Sequence, residues 1–449
     1  MLPNDFEKRM SKILGEEYES FIASYSDEPS RSFRINTNKI SRENFKKINP
    51  VGGEKISYTE NGYYFSSDGI GNHPYHHAGM IYIQEPSAMA AVASVDIQSD
   101  WKILDLCAAP GGKSSQCAEQ IPNGILVSNE IVPSRCKILT GNIERMGFGN
   151  VITTCTDAEK IASAFCGAFD LVVVDAPCSG EGMFRKDENA RDEWSVENVN
   201  RCAERQFEIL EKIKSTVKSG GFLLYSTCTF SLEENEKTVD RFLCENENFE
   251  LISVDENVKR VTSDGINFDG CKTKYISRCR RFYPHKAKGE GQFFALMRKK
   301  FGDENANLPL TALKEIPKAE QKIIFDFLDE TLTDYDKKAV KKYKENFVYF
   351  SSDFPVPVGA FSCGITIGSL QKKYIKPHHQ FFSAMGKSFK RIIELDTEQA
   401  KKYIHGETVP CGFESGWCAV TVEGCTLGGA KAVGGIAKNH YPKGLRTLK

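Results

Sequence analysis

Ile103-Leu-Asp-Leu-Cys-Ala-Ala-Pro-Gly-Gly-Lys-Ser114 decides how this chain is read: an apolar run breaks into small residues and then into helix-forming ones. That order predicts a strand, a tight loop and a helix start. Ala108, Ala109, Gly111 and Gly112 carry little bulk, so a ligand can approach backbone amides at the helix N-terminus. A phosphate loop of the form G-x-x-x-x-G-K-[ST] would use Gly112, Lys113 and Ser114, but Cys107 stands where its first glycine belongs. The dinucleotide pattern G-x-G-x-x-G is missing. A nucleotide site of another kind is expected.

Around this stretch, apolar segments alternate with helical ones from Trp101 onward. Strands are predicted at 103–106, 125–128, 151–154, 171–174 and 222–225. Between the last two, Phe207, Leu210, Ile213 and Val217 recur at spacings of three and four, and Gly220-Gly221 is expected to stop that helix. Such a pattern predicts an α/β fold with a parallel sheet covered on both faces. Ligands of these sheets bind beyond the carboxyl ends of the strands.

The predicted strand ends carry polar groups in turn. Asp105 closes the first, Glu130 follows the second about 20 residues after the glycines, as a ribose-binding acid would, Asp157 follows the third, and Asp175 the fourth. Any one of them can be a helix cap. Four carboxylates around one crevice disfavour a polyphosphate and suit a nucleoside with a positive charge. A sulfonium such as S-adenosylmethionine fits, with carboxylates on the ribose, Asp157 near the adenine amino group and loop amides on the methionine moiety.

Cys178 and Cys228 follow the fourth and fifth strands, and both are expected to face that crevice. Ser231-Leu-Glu-Glu234 reads as a capping box, which would set Cys228 just ahead of a helix whose N-terminus favours its thiolate. A thiolate beside a methyl donor has a chemical use. Addition to carbon 6 of cytosine makes carbon 5 nucleophilic, and Asp175 can stabilise charge near ring nitrogen 3.

Asp105-Leu-Cys-Ala-Ala-Pro-Gly-Gly-Lys-Ser114, Asp175-Ala-Pro-Cys-Ser-Gly-Glu-Gly182 and Tyr225-Ser-Thr-Cys-Thr229 together resemble the signatures of the Sun/nucleolar-protein (NSUN-type) family of RNA cytosine-5 methyltransferases. The resemblance implies that Cys228 is the nucleophile and Cys178 assists release. It also implies that Cys107, Ala108, Ala109, Pro110, Gly111, Gly112, Lys113, Glu130, Asp157 and Asp175 bind S-adenosylmethionine. DNA enzymes attack from the Pro-Cys instead, so RNA rather than DNA is the implied substrate. Arg34-Ile-Asn-Thr37, Gln84-Glu-Pro86, Arg281-Phe-Tyr-Pro-His285 and Gly291-Gln-Phe-Phe-Ala295 extend the likeness.

Outside the catalytic motifs, helices are expected over residues 1–30, and 31–37 alternates like an edge strand whose Arg31 and Arg34, with Lys39, form a phosphate-contacting rim. The basic, aromatic stretch 278–300 suits phosphate contact and stacking, or else a charged edge strand. A linker is predicted at 302–309, a charged helical segment at 310–345 with Phe325, Phe327 and Leu328 inward, and glycine-punctuated strands near the end. The tail, above all Ala437-Lys-Asn-His-Tyr-Pro-Lys-Gly-Leu-Arg446, resembles the pseudouridine-synthase-type (PUA-like) module of the bacterial ribosomal small-subunit, RsmF-like branch. His440 and Lys443 are its candidate RNA contacts.

The expected architecture is an N-terminal α+β RNA-binding module (1–98), a Rossmann-like S-adenosylmethionine-dependent methyltransferase domain (99–300), a connecting helical/β domain (301–385) and a PUA-like RNA-binding β-barrel (386–449). Losing the last should weaken RNA binding and spare the donor site. The chain has 449 residues, 40% hydrophobic and 27% charged, enough for about two to four domains. No apolar run of about 18 residues and no leader pattern occur at the start, so a cytoplasmic protein with no membrane partner is expected. The 15 cysteines lack paired spacing, and Cys411, Cys418 and Cys425 lack a fourth ligand, so reduced thiols and no metal are expected. With 59 basic and 60 acidic residues, RNA must be met by local patches. The reading is a monomeric RNA cytosine-5 methyltransferase acting on 16S ribosomal RNA. Transfer RNA as substrate, or a non-catalytic ribosome assembly factor, stand as alternatives.

Overall fold

A computed structural model describes residues 2–48, 52–301 and 308–447. Most of the predicted linker lies outside the described residues. At the centre is a mixed ten-stranded sheet. Its strands are β1 (Lys102–Asp105), β2 (Ile125–Asn129), β3 (Val151–Thr154), β4 (Phe169–Asp175), β5 (Val217–Thr227), β6 (Phe249–Leu251), β7 (Ser263–Asp264), β8 (Arg280–Phe282), β9 (Gln292–Lys299) and β10 (Ser362–Cys363). The order is β7-β8-β9-β5-β4-β1-β2-β3-β10, with β6 on β9. The five predicted strands are the parallel core, in register at their carboxyl ends: Asp105 lies beside Ser128 and Val173, and Asp175 beside Ser226.

Period-two alternation sends neighbouring residues to opposite faces, and each face has its own core. Leu104, Val127, Val172, Val174 and Leu223 pack with Phe207, Leu210 and Ile213 of the helix Val196–Ile213. Ile103, Leu126, Leu171 and Val173 pack with Met89 and Val92 of Pro86–Ala93, Cys117 of Gly112–Gln120 and Leu139 of Pro133–Met146. This α/β layering covers the parallel strands on both faces. Val217 departs from the helical expectation: the helix ends at Ile213, Val217 begins β5, and Gly220-Gly221 lies inside that strand opposite a register shift in β4.

The outer strands correct three expectations. Residues 32–35 form the middle strand of a three-stranded sheet, not an edge. Arg34 is 1% exposed and Lys39 8%, so only Arg31 remains of the phosphate rim, paired with Asp68. The 278–300 stretch supplies β8 and β9, both internal; Arg280 and Arg281 are buried against Asp264 and Glu236, and Phe293 and Phe294 are core. These cations therefore hold the fold rather than meet phosphates. The 310–345 segment is α-helical only over Lys318–Thr331, where Ile324, Leu328 and Thr331 are the buried residues; Phe325 and Phe327 are half-buried, and the basic run that starts at Lys337 passes through one 3-10 turn into a β-hairpin, 340–343 with 346–349.

The tail is β-rich. A five-stranded sheet runs in the order 392–395, 415–422, 425–433, 436–439, 409–410, the first pair parallel. Cys418 and Cys425 fill its core and Cys411 packs against it. That core is shared: Phe33, Ile35, Tyr75 and Met80 of the N-terminal part join Val420, Leu427 and Tyr441 in one cluster. His77 Nδ1 lies 2.8 Å from Tyr441 Oη, and Lys387 Nζ donates to the Lys39 carbonyl at 2.8 Å. The two ends of the chain are one packed unit. No helix among the described residues is long and apolar enough to cross a membrane.

Candidate active site

Because the parallel strands end on one side, the loops after β1, β2, β4 and β5 converge. After β1, the turn from Cys107 leads through Gly111, in the left-handed region at φ 111°, into the helix Gly112–Gln120. Ala108 N donates to Asn129 O (2.8 Å), Arg135 Nη2 to Ala109 O (2.9 Å) and Asn142 Nδ2 to Pro110 O (2.9 Å), so β2 and the next helix fix the loop. Arg34 braces it from beneath. Its guanidinium donates to Gly112 O (3.1 Å) and Ser115 Oγ (2.6 Å) and pairs with Glu119 at 3.1 Å.

Three of the four predicted carboxylates gather here. Asp105 is fully buried; Oδ2 accepts from Ser114 Oγ at 2.6 Å, and Oδ1 has no hydrogen-bond partner among the described residues. Burial pushes its carboxyl up to about 7, against the opposing hydrogen bond from Ser114. Glu130 Oε1 accepts from Val132 N at 3.0 Å. Its Oε2 lies 3.2 Å from Arg135 but receives no aligned hydrogen bond. Asp175 Oδ1 accepts from Ser226 Oγ (2.7 Å) and Gln292 Nε2 (3.3 Å), and Oδ2 pairs with Lys113 Nζ at 2.8 Å. Burial, then Asp105, Asp175 and Glu130, push the Cys107 thiol up, which keeps it protonated.

Asp157 is engaged otherwise. It caps the helix Ala158–Ala164, accepting from Lys160 N at 2.9 Å, and pairs with Lys160 Nζ at 3.0 Å. Those Lys160 contacts hold its carboxyl below the usual range. It stands at the rim, with its side chain 40% exposed.

The two thiols meet. Cys178 Sγ and Cys228 Sγ are 3.1 Å apart, both unoxidised. The contact with Cys228, then burial, push the Cys178 thiol well up. The capping-box expectation fails: the helix begins at Glu236, with Asn235 before it, so no helix N-terminus follows Cys228 directly. Ser231 Oγ and the Glu234 carboxylate are spent on Glu181 and on Ser179 and Gln206. Ser231 and Glu234 have the types a capping box needs, and only their long-range partners decide against it.

Sequence reasoning gave Lys113 to a cofactor loop; the structure also puts it on Asp175, some sixty residues along the chain, which spacing could not reveal. Ser226 and Gln292 were missed as partners of Asp175. Ser226 had a signal, being next to the Thr-Cys at the end of β5; Gln292 lies on β9, whose stretch reads in the sequence as a charged edge strand and not as the neighbour of β5. His440 is exposed at the tail and stacks edge-on against Trp417 at 4.6 Å between ring centres, and Lys443 is exposed nearby in sequence.

Residues 92–298 match the model for 16S rRNA methyltransferase RsmB/F, 2–86 the N-terminal domain of 16S rRNA methyltransferase RsmF, and 390–447 the methyltransferase RsmF PUA domain. The chain is 32% identical to a ribosomal RNA small subunit methyltransferase F from Shewanella oneidensis, over 95% of this chain and 93% of that protein. A protein of the same description from Vibrio vulnificus is 31% identical over 99% and 97%. Among solved structures, a methyltransferase homolog protein from Pyrococcus horikoshii superposes with a TM-score of 0.57 and 27% identity, covering 66% of this chain and 94% of that one.

Proposed function

Since this chain belongs to the RsmB/F family of 16S rRNA methyltransferases, in its RsmF-like branch, we propose that it transfers methyl from S-adenosylmethionine to carbon 5 of a cytosine in 16S ribosomal RNA, through a covalent adduct on Cys228. The fold reading that goes with it is a Rossmann-like catalytic domain and a PUA-like barrel at the tail. It works as a cytoplasmic monomer. The observation that carries the reading is the 3.1 Å approach of the two thiols, on the loops that follow the hydrogen-bonded pair Asp175 and Ser226.

The residues present fit the donor. Buried Asp105 Oδ1 and Glu130 Oε2 are acceptors without a hydrogen-bond partner, a cost of about 1–3 kcal/mol each unless a ligand donor arrives. Ribose hydroxyls are such donors. The loop from Cys107 to Lys113, Glu130, Asp157 at the rim and Asp175 hold the nucleoside, and the bound donor supplies an electrophilic methyl group on a sulfonium. In this reading the Cys228 thiolate adds to carbon 6 of the flipped cytosine. The electron pair moves toward carbon 5, and the Lys113–Asp175 pair stabilises charge at ring nitrogen 3. Carbon 5 takes the methyl; transfer of its proton to a base, for which solvent water suffices, then re-forms the ring double bond and breaks the sulfur–carbon bond. The departing Cys228 thiolate is met by the Cys178 S–H.

Glu130→Ala is expected to weaken donor binding about 10–100-fold, the equivalent of a charged hydrogen bond of about 1.5–3 kcal/mol, by calorimetry. Unchanged affinity would refute the role. In the unmutated protein, a cation bound beside Asp105 favours its ionised form. A carboxyl raised to about 7 therefore loses a proton on binding near pH 6.5 and not at pH 9. Affinity should rise with pH up to that value, and buffers of different ionisation heat give the proton count.

Bisulfite sequencing of RNA from cells with and without the gene tests the function. A 16S cytosine protected only in the first supports it; protection confined to transfer RNA moves the substrate, and no difference leaves an assembly factor.

A further inference from the structure

The two cysteine loops are tied to each other by a reciprocal pair of buried carboxylates. Glu181, three residues beyond Cys178, accepts from the opposite loop: Phe230 N at 2.8 Å on Oε2 and Ser231 Oγ at 2.6 Å on Oε1. Glu234, six residues beyond Cys228, reaches back, accepting from Ser179 N at 2.9 Å on Oε2 and from Ser179 Oγ on Oε1. Each carboxylate thus stands on one thiol's loop and holds the backbone amide of the other's. Between them, Gly182 N donates to the Cys228 carbonyl at 2.8 Å. A Cβ on Gly182 would lie 2.8 Å from that oxygen, so the backbones touch with no room to spare.

The hydrogen-bond partners of both carboxylates among the described residues are uncharged groups, and both are buried, Glu181 at 1% and Glu234 at 0% exposure. A buried anion without a cation is expensive, and packing alone would favour an apolar residue there. What a carboxylate adds is direction: its lone pairs fix the position of several donors at once. Burial pushes the Glu234 carboxyl up to about 7 against the hydrogen bonds from Ser179. The donors are what hold it.

We propose that Glu181 and Glu234 are positioning residues that set the separation of the Cys178 and Cys228 thiols, and so govern the covalent steps without binding donor or RNA. This rests on the two-thiol reading above. Neither residue touches the reacting atoms; each acts through the opposite loop.

The test is steady-state methyl transfer from labelled donor to 16S RNA by the full chain, with Glu234→Leu, Glu181→Leu and the isosteric Glu234→Gln. Glutamine keeps an oxygen for Ser179 N while its amide donates to Ser179 Oγ. The expected result is a kcat drop of about 100-fold in the leucine variants, RNA KM and donor affinity within about threefold of the parent, and recovery to within about tenfold in Glu234→Gln. Unchanged kcat in the leucine variants overturns the proposal. So does an equal loss of donor affinity, or failure of glutamine to recover turnover in a protein that melts like the parent. Should the leucine variants not fold, Ser179→Ala, which removes one donor, must still lower kcat about fivefold with KM unchanged, and no loss there overturns it too. Cys228→Ala run alongside separates the two readings: if it stays active the two-thiol chemistry fails, and if it is inactive while the glutamate variants are normal only the clamp fails.

Discussion

Cys228→Ala is expected to lose methyl transfer by at least about 10³-fold, since removal of a covalent nucleophile costs up to about 10⁶ in rate where it has been measured. The donor loop should keep its shape, because its backbone from Ala108 to Pro110 is fixed by Asn129, Arg135 and Asn142 and not by β5. Cys178→Ala has the opposite signature. With the S–H removed from its place 3.1 Å from Cys228, the adduct forms but breaks slowly, and a protein–RNA species should persist on a denaturing gel. Full activity in Cys228→Ala would sink the mechanism. An adduct in Cys228→Ala and none in Cys178→Ala would exchange the two roles.

Removal of residues 386–449 carries the second large effect, and it goes beyond weaker RNA binding. Phe33, Ile35, Tyr75 and Met80 are buried against the tail's own core residues. A buried side chain of this kind contributes about 1.5–3 kcal/mol; if each of the four loses half its burial, the loss is about 3–6 kcal/mol. A whole domain is stable by only about 5–15 kcal/mol. The truncated protein should therefore melt well below the parent, and the brace of Arg34 on the donor loop should loosen with the sheet that carries it. Calorimetry and thermal melting decide: parent-like melting with intact donor binding would show the tail to be a detachable module, as its resemblance to a PUA-like domain implies.

Much of the catalytic core was legible because its strands are doubly covered and so read as plain apolar runs, each ending in a group that water would not have selected. The motifs around Asp105, Asp175 and Cys228 sit at such ends. What escaped was long-range. Strands 249–251 and 263–264 are too short to show a period, and β9 carries a charge at Arg298 that imitates an edge. Arg34, Arg280 and Arg281 look like surface cations because a sequence does not display Glu119, Asp264 and Glu236 beside them. The failed capping box at Ser231 and Glu234 is the same lesson within a site: residue types fit a local rule, and distant donors won.

The meeting of the chain's two ends also sets an order of events during synthesis. Tyr441 lies 364 residues after His77, and Cys425 bonds to the carbonyl of Lys39 across 386 residues. At about 5–20 residues per second, the 364-residue separation alone takes roughly 20–70 s to be made. Until then Phe33, Ile35, Tyr75 and Met80 lack the tail residues that complete their cluster, whereas Phe6, Phe21 and Met89 have already met partners in the catalytic domain.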